Sequence, residues 1–284
     1  MNSIRPPAVA GTWYPGTAEP LTRAVDGYLS AAGADGVRFE SLTALIAPHA
    51  GLIYSGPVAG HAYRLVSGRT YDVVVLVGPS HFVGFEGVAV SRAGGFRTPL
   101  GVASIDERCA TEIMNAAPIA REHDAAHGRE HSLEMQLPFL QRVAPGAPIV
   151  PLVMGFQSAA TALALGSALA MVLGRRRALL IASTDLSHYH DAVTAARLDQ
   201  VVIDHVARFD ADGLQGALDR TPGHACGGGP VVAVLRAARA LGARDARVLN
   251  YADSGDVSGD KSSVVGYMAA ALGVCSSSSP ATAR

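Results

Sequence analysis

Lysine is all but missing from this 284-residue chain. Lys261 is the only one, and the 23 Lys and Arg residues face 24 Asp and Glu for a formal net charge of −1. That balance gives no electrostatic case for nucleic acid or an anionic membrane as a partner. The one basic cluster, Arg175-Arg176-Arg177, follows an apolar helical stretch and is expected to cap its carboxyl end, where the helix dipole favours cations. Cysteine is scarce too. Cys109, Cys226 and Cys275 are scattered and odd in number, which argues against a disulfide framework and for a reducing compartment. Long hydrophobic runs are missing: Ala159 to Leu173 is interrupted by Gly166 and Ser167 and is too short to span a bilayer comfortably. Residues 1–7 lack the apolar core of a signal peptide. A soluble cytoplasmic protein is expected. There is no Walker A loop, no dinucleotide fingerprint after a strand and no nucleophile elbow, so phosphoryl transfer and serine hydrolysis have no support.

What is present is a globular composition, 49% hydrophobic and 17% charged, in a chain long enough to bury a large core. Val73 to Val77 is an unbroken aliphatic run with no polar alternation, the pattern of a strand covered on both faces by helices. Gly78-Pro79 ends it, and His81 follows. Leu42 to Ala47 likewise runs into Pro48-His49, and Ala178 to Ala182 runs into Ser183-Thr184-Asp185-Leu186-Ser187-His188. Open α/β sheets place their ligand crevices at the carboxyl ends of their strands. Three such strands would therefore aim three imidazoles at one edge of one sheet.

Between these strands the pattern predicts a helix from Thr17 to about Ala31, one opened by Pro57 and running to about Val66, and one from about Glu107 to Asn115. His131 to Gln141 reads as an amphipathic helix, and Ala159 to Leu173 as a helix under the sheet. Further helices are expected over Ala192 to Phe209, Asp212 to Leu218 and Pro230 to about Ala240. Short strands are expected near Gly87 to Ser91, Gly101 to Ile105, Ile149 to Met154, Arg247 to Tyr251 and Ser263 to Leu272. The alternation predicts an α/β fold: a single domain over residues 1–275, with a largely parallel or mixed central sheet flanked by helices, and a disordered tail over 276–284.

His49, His81 and Cys226 form the candidate metal set, since a borderline metal takes imidazole and thiolate ligands from rigid elements. Cys226 precedes Gly227-Gly228-Gly229-Pro230 at a helix start, where backbone amides would favour a thiolate and the glycines would admit a ligand close to the backbone. Taken singly, the three are equally a buried free cysteine and two loop histidines. His188 is the candidate proton-transfer group, with Asp185 near enough to orient it or to support a metal ligand from behind; Ser183, Thr184 and Asp185 could instead be helix caps. His131 and Glu134 lie one helical turn apart, either as a surface pair or with His131 reaching the same crevice. The acidic loop from Asp253 to Asp260 lacks the alternating ligands of an EF-hand and reads as a glycine-rich structural turn.

Several stretches together resemble the Memo family, known in prokaryotes as AmmeMemoRadiSam system protein B. They are Arg5-Pro-Pro-Ala-Val-Ala-Gly-Thr-Trp-Tyr-Pro15, Ala47-Pro-His-Ala-Gly-Leu-Ile-Tyr-Ser-Gly56, Gly78-Pro-Ser-His81, Glu130-His-Ser-Leu-Glu-Met-Gln-Leu-Pro-Phe-Leu140, Ser183-Thr-Asp-Leu-Ser-His-Tyr189, Cys226-Gly-Gly-Gly-Pro230 and the loop from Asp253 to Ser263. The family is similar in fold to class III extradiol dioxygenases, non-haem iron(II) enzymes with two histidines and a glutamate on the metal and a catalytic histidine. The resemblance implies His49 and His81 as metal ligands, Cys226 where the dioxygenases have glutamate, and His188 as the catalytic histidine. It implies iron(II) as cofactor with copper as the alternative, and a redox, dioxygenase-like activity on an unidentified small molecule or peptide. Radical S-adenosylmethionine and AMMECR-type proteins are the partners the family association implies. Cysteine for glutamate is a departure that leaves ring cleavage uninherited, so the competing expectation is a non-catalytic metal-binding or partner-binding scaffold.

Overall fold

Val73 to Val77 shows no polar alternation because both of its faces are covered. Val73, Val75 and Val77 point into one hydrophobic core, Val74 and Leu76 into a second on the other side of the sheet, and all five are fully buried. The computed structural model describes residues 4–33, 36–92 and 94–276. In chain order, β1 (Ile4–Arg5) opens a strap that ends at Tyr14 and leads to α1 (Ala18–Ala31). β2 (Phe39–Ala47), α2 (Leu52–Tyr63) and β3 (Val73–Pro79) follow, then β4 (Val88–Val90), β5 (Gly95–Thr98) and β6 (Gly101–Ser104). Next come α3 (Glu107–Ala116), β7 (Ala120–Glu122), α4 (Asp124–Gly128), α5 (Leu137–Val143), β8 (Ile149–Met154), α6 (Ala159–Leu173) and β9 (Ala178–Ser183). β10 (His188–His190), α7 (Ala192–Ala207), α8 (Ala211–Arg220), α9 (Gly228–Ala240), β11 (Asp245–Asp253), α10 (Gly255–Ser258) and β12 (Val264–Cys275) complete the chain.

The main sheet runs β10-β12-β2-β9-β3-β8-β4-β7, with β11 also paired to β12. β2, β9, β3 and β8 are mutually parallel; β12 is antiparallel to β2, β10 and β11, and β4 is antiparallel to β8. The sheet is therefore mixed and the domain α/β, with helices on both faces. Leu165 and Leu169 of α6 and Val231 and Leu235 of α9 fill one core; Leu21 and Val25 of α1, Val58 and Ala62 of α2 and Leu140 of α5 fill the other. A separate small sheet, β1-β5-β6, holds the start of the chain. Among the described residues, no helix is long and apolar enough to cross a membrane.

Three expectations shift. α2 begins at Leu52, before Pro57, because burial of Leu52, Val58, Ala59 and Ala62 outweighs the helix bond that Pro57 cannot make. The helix expected from His131 starts properly only at Leu137, after a 3₁₀ turn over Glu134–Gln136, because Ser132 is pulled back to the end of β3, its Oγ donating to Pro79 O at 2.9 Å. Two of the three clustered arginines reach sideways rather than onto helix carbonyls: Arg176 pairs with Glu112 and Asp106, and Arg177 with Asp72. Residues 277–284 of the expected tail lie outside the described residues.

Candidate metal centre

β9 lies between β2 and β3, and all three run the same way. Their carboxyl ends therefore meet at one edge, and the loops that leave them carry His49, His81 and Asp185 to His188. The start of α9 delivers Cys226 to the same place. His49, His81 and Cys226 each present a ligand atom, and these atoms all lie within 4.8 Å of one another. His49 Nε2 stands 3.2 Å from Cys226 Sγ. The rings of His49 and His81 meet edge-on at 5.2 Å, and His131 stacks on His81 at 4.5 Å. The structure thus brings the predicted metal set together, with His131 beside it.

The tautomer of each histidine follows from what its Nδ1 touches. Ser183 Oγ donates its proton to Ser132 O at 2.6 Å and accepts from Gln136 Nε2 at 2.7 Å. Its remaining lone pair accepts from His49 Nδ1 at 2.8 Å. His81 Nδ1 donates to Glu130 Oε1 at 2.9 Å, and His188 Nδ1 to the carbonyl of Leu186 at 2.8 Å. In the neutral form of each ring, Nδ1 therefore carries the proton and Nε2 the lone pair. For His81 and His188 this is the carboxylate–histidine or carbonyl–histidine arrangement that orients metal-binding imidazoles, and for His49 a serine hydroxyl takes that place.

Burial first, and then the imidazoles of His81, His131 and His188, which oppose a further positive charge beside them, hold His49 well below its ordinary value, so it stays neutral. Burial lowers His131 to about 4 and raises Asp185 to about 7. Burial and then the Asp185 carboxylate push the Cys226 thiol well up. This corrects the expectation of a thiolate held by helix amides. The amide that reaches Sγ is Asp185 N–H, at 3.2 Å, and it does not offset burial. The glycines after Cys226 also serve differently from expectation: a Cβ on Gly227 would lie 2.4 Å from Ser183 O, so the residue lets the Cys226 loop press on the end of β9. Imidazoles whose ligand atoms converge beside a thiol suit a cation, which would replace the thiol proton and release it. The donor set therefore fits a metal. His131 Nδ1 is buried with no hydrogen-bond partner, a further unfilled valence beside the cluster.

Asp185 lies behind His49. Its Oδ1 accepts the His49 N–H at 2.7 Å, and its carboxylate holds the His49 loop instead of orienting His188. Glu134, which one of the two readings made a surface partner of His131, is fully buried and collects the N-terminal strap. It accepts Arg5 Nη1 at 2.6 Å, Ala8 N at 2.7 Å, Val9 N at 3.1 Å and the Tyr14 hydroxyl at 2.6 Å. The strap so fixed lays Trp13 against His131, ring centroids 4.3 Å apart. Glu130 was not singled out from the sequence, yet it fixes both His81 Nδ1 and the His81 N–H, the latter at 2.6 Å. Its position directly before His131 was the available signal. His81, Glu130 and His131 also cluster closely enough to suggest a second ion, but Glu130 is engaged by His81 and by Ser132 N–H, which makes it an orienting group. In the acidic loop, Lys261 bridges Asp253 and Asp256 at 2.7 and 2.6 Å, an internal ion pair within a structural turn. A cavity of about 530 Å³ lined by Phe156, Gln157, Pro222 and Cys226 adjoins the centre. A larger one, about 730 Å³, lies away from it around Arg208, Arg236 and Arg239.

The fold and this centre define a mixed-sheet α/β protein with its polar residues gathered at one sheet edge. The family model for Memo-like proteins matches residues 5–271, and the chain belongs to that family. MEMO1 family proteins of Methanothermobacter thermautotrophicus and Methanosarcina acetivorans are 39% and 40% identical, over 276 and 273 residues. These alignments cover 93% and 94% of this chain and 98% of each relative. A Nitrosopumilus maritimus member is 35% identical over 268 residues, covering 93% of this chain and 98% of its own. Among solved structures, an uncharacterized Escherichia coli K12 protein, JW3007, superposes with a TM-score of 0.53 at 17% identity, covering 80% of this chain and 99% of its own. That likeness is one of fold.

Proposed function

We propose that this Memo-family protein is a non-haem metal-dependent redox enzyme that binds iron(II), or copper in its place, through His49, His81 and Cys226. The observation that carries the reading is the convergence of these three ligand atoms within 4.8 Å, with the imidazoles fixed so that Nε2 is free. A bound metal would supply a redox-active Lewis acid at which dioxygen or a small molecule is activated. The chain's own residues do the rest. His188 Nε2 takes or gives a proton. His131, its Nδ1 without a hydrogen-bond partner and 3.6 Å from Glu130 Oε1, lies in reach of the same space. Ser183 and Asp185 hold His49, Glu130 holds His81, and the strap bearing Trp13 shields one side from water. A thiolate ligand is softer than a carboxylate and sets a different metal charge, so the reading does not extend to extradiol ring cleavage. Three free cysteines and no membrane-crossing helix among the described residues are compatible with a reducing cytoplasm.

Elemental analysis of anaerobically purified protein tests the reading, beside His49→Ala and Cys226→Ser. Stoichiometric iron or copper, lost in both variants, is expected. No metal in the wild type after reconstitution with iron(II) and copper(I) would overturn it and leave a partner-binding scaffold. Bound metal with no oxygen uptake from any small aromatic substrate would favour a non-catalytic metal-binding protein.

A further inference from the structure

One buried carboxylate has no part in the centre described above and yet touches it through the backbone. Asp199 lies on α7, fully buried. Its Oδ1 accepts the Ser187 N–H at 2.8 Å, and its Oδ2 accepts the Tyr251 hydroxyl at 2.8 Å. A donor on each oxygen is the pattern of an ionised carboxylate. The Ser187 nitrogen and the Leu186 carbonyl belong to one peptide group, and the described residues include no cis peptide bond. In a trans peptide the N–H and C=O point in opposite directions. On its far side, this same Leu186 oxygen accepts His188 Nδ1–H at 2.8 Å. The order in space is therefore Tyr251 hydroxyl, Asp199 carboxylate, Leu186–Ser187 peptide, His188 imidazole.

We propose that Asp199 is a positioning residue for His188, acting through the Leu186–Ser187 peptide group to hold the imidazole in its Nδ1–H form and leave Nε2 free. A carboxylate accepting the N–H end of an amide draws electron density toward the carbonyl oxygen, which then accepts a hydrogen bond more strongly; chains of hydrogen bonds polarise one another in this way. The arrangement is an aspartate–histidine pair with one amide between the partners. Its surroundings are built for it. β12 presents Gly266 to the carboxylate, where a Cβ would lie 1.9 Å from Asp199 Oδ2. The Gly266 backbone also clasps the same segment, its carbonyl accepting Leu186 N–H at 2.8 Å and its N–H donating to Ser187 O at 3.0 Å.

The inference rests on the reading of His188 as the proton-handling group, but its test does not. The ¹⁵N shifts of His188 report its tautomer directly in metal-free, ¹⁵N-labelled full-length protein at pH 8, assigned with a His188→Gln variant. The wild type is expected to show protonated Nδ1 and unprotonated Nε2. Asp199→Asn keeps shape and an acceptor oxygen but removes the charge, and is expected to lower the Nδ1–H to Nε2–H ratio at least threefold. Tyr251→Phe removes a donor that shares the carboxylate's charge, and is expected to leave that ratio equal or higher. Mere loosening of the segment would lower it in both variants. A wild type with Nε2 protonated overturns the proposal outright, even if Asp199→Asn fails to fold. So does Asp199→Asn within threefold of the wild type, or a fall in Tyr251→Phe matching that of Asp199→Asn. Absence of metal from the wild type would end the metal reading and leave this result standing.

Discussion

The two ends of the parallel strands β2, β9 and β3 carry polar groups in opposite ways. At the amino ends, Arg177 spans to Asp72 at 2.7 Å, with side chains 69% and 45% exposed. At the carboxyl ends, Ser183, Gln136 and Glu134 are fully buried, and each is saturated by partners from distant parts of the chain. An exposed ion pair gains little, because water already solvates both charges. A buried one is dear to break, because the survivor is left charged in a poor solvent. Polar groups at the amino edge can therefore be exchanged cheaply, whereas those at the carboxyl edge hold one another in place.

The sharpest way to break that contrast is at the strap. Arg5→Ala should cost about 3–5 kcal/mol by chemical denaturation, because Glu134 loses its buried cation. The double change Arg5→Met with Glu134→Gln should recover part of that loss; no recovery would place the cost in packing. Next comes His127, beside the same arginine. Burial lowers its value to about 4, so the folded protein keeps it neutral where the unfolded chain, near 6.5, takes a proton. Stability from this group is complete above about 6.5 and is lost as pH falls toward 4, by roughly 3 kcal/mol. His127→Leu should therefore flatten the fall of the denaturation midpoint over that window, and a parallel profile would remove His127 as a cause.

Smaller effects are expected where a buried group orients a ligand without carrying the fold. Glu130→Gln and Ser183→Ala should each weaken metal affinity about 10–100-fold, measured by competition with a chelator. Unchanged affinity would separate these groups from the centre. At the opposite end, Asp72→Asn should leave the denaturation midpoint unchanged within error, and a clear drop would contradict the contrast between the two edges.

Much of this architecture was legible in the sequence. The runs at Leu42, Val73 and Ala178 announce buried parallel strands because nothing polar interrupts them, and a histidine after each marks the shared edge. What stayed hidden depends on distance through space. Glu134 looks like a surface residue on an amphipathic helix, since the partners that bury it lie 120 to 129 residues away. Asp185 follows the strand that leads to His188, yet its carboxylate turns to the neighbouring loop, where the His49 N–H would otherwise be unsatisfied. β5 escaped notice because a short strand beside Gly94 and Gly95 carries almost no alternating pattern. Arg5, near the start of the chain, gives no local sign that it is a buried cation.

That arginine bears on how the molecule is made. Its partner Glu134 lies 129 residues further along. At about 5–20 residues per second, synthesis reaches Glu134 roughly 6 to 26 s after Arg5. During that interval the first segment has no buried anion to receive it. The segment around Arg5 therefore settles after the middle of the chain has been laid down, although it is the earlier made of the two. Trp13, held by the strap, arrives over His131 only then, and the candidate centre is walled on that side at a late step of folding.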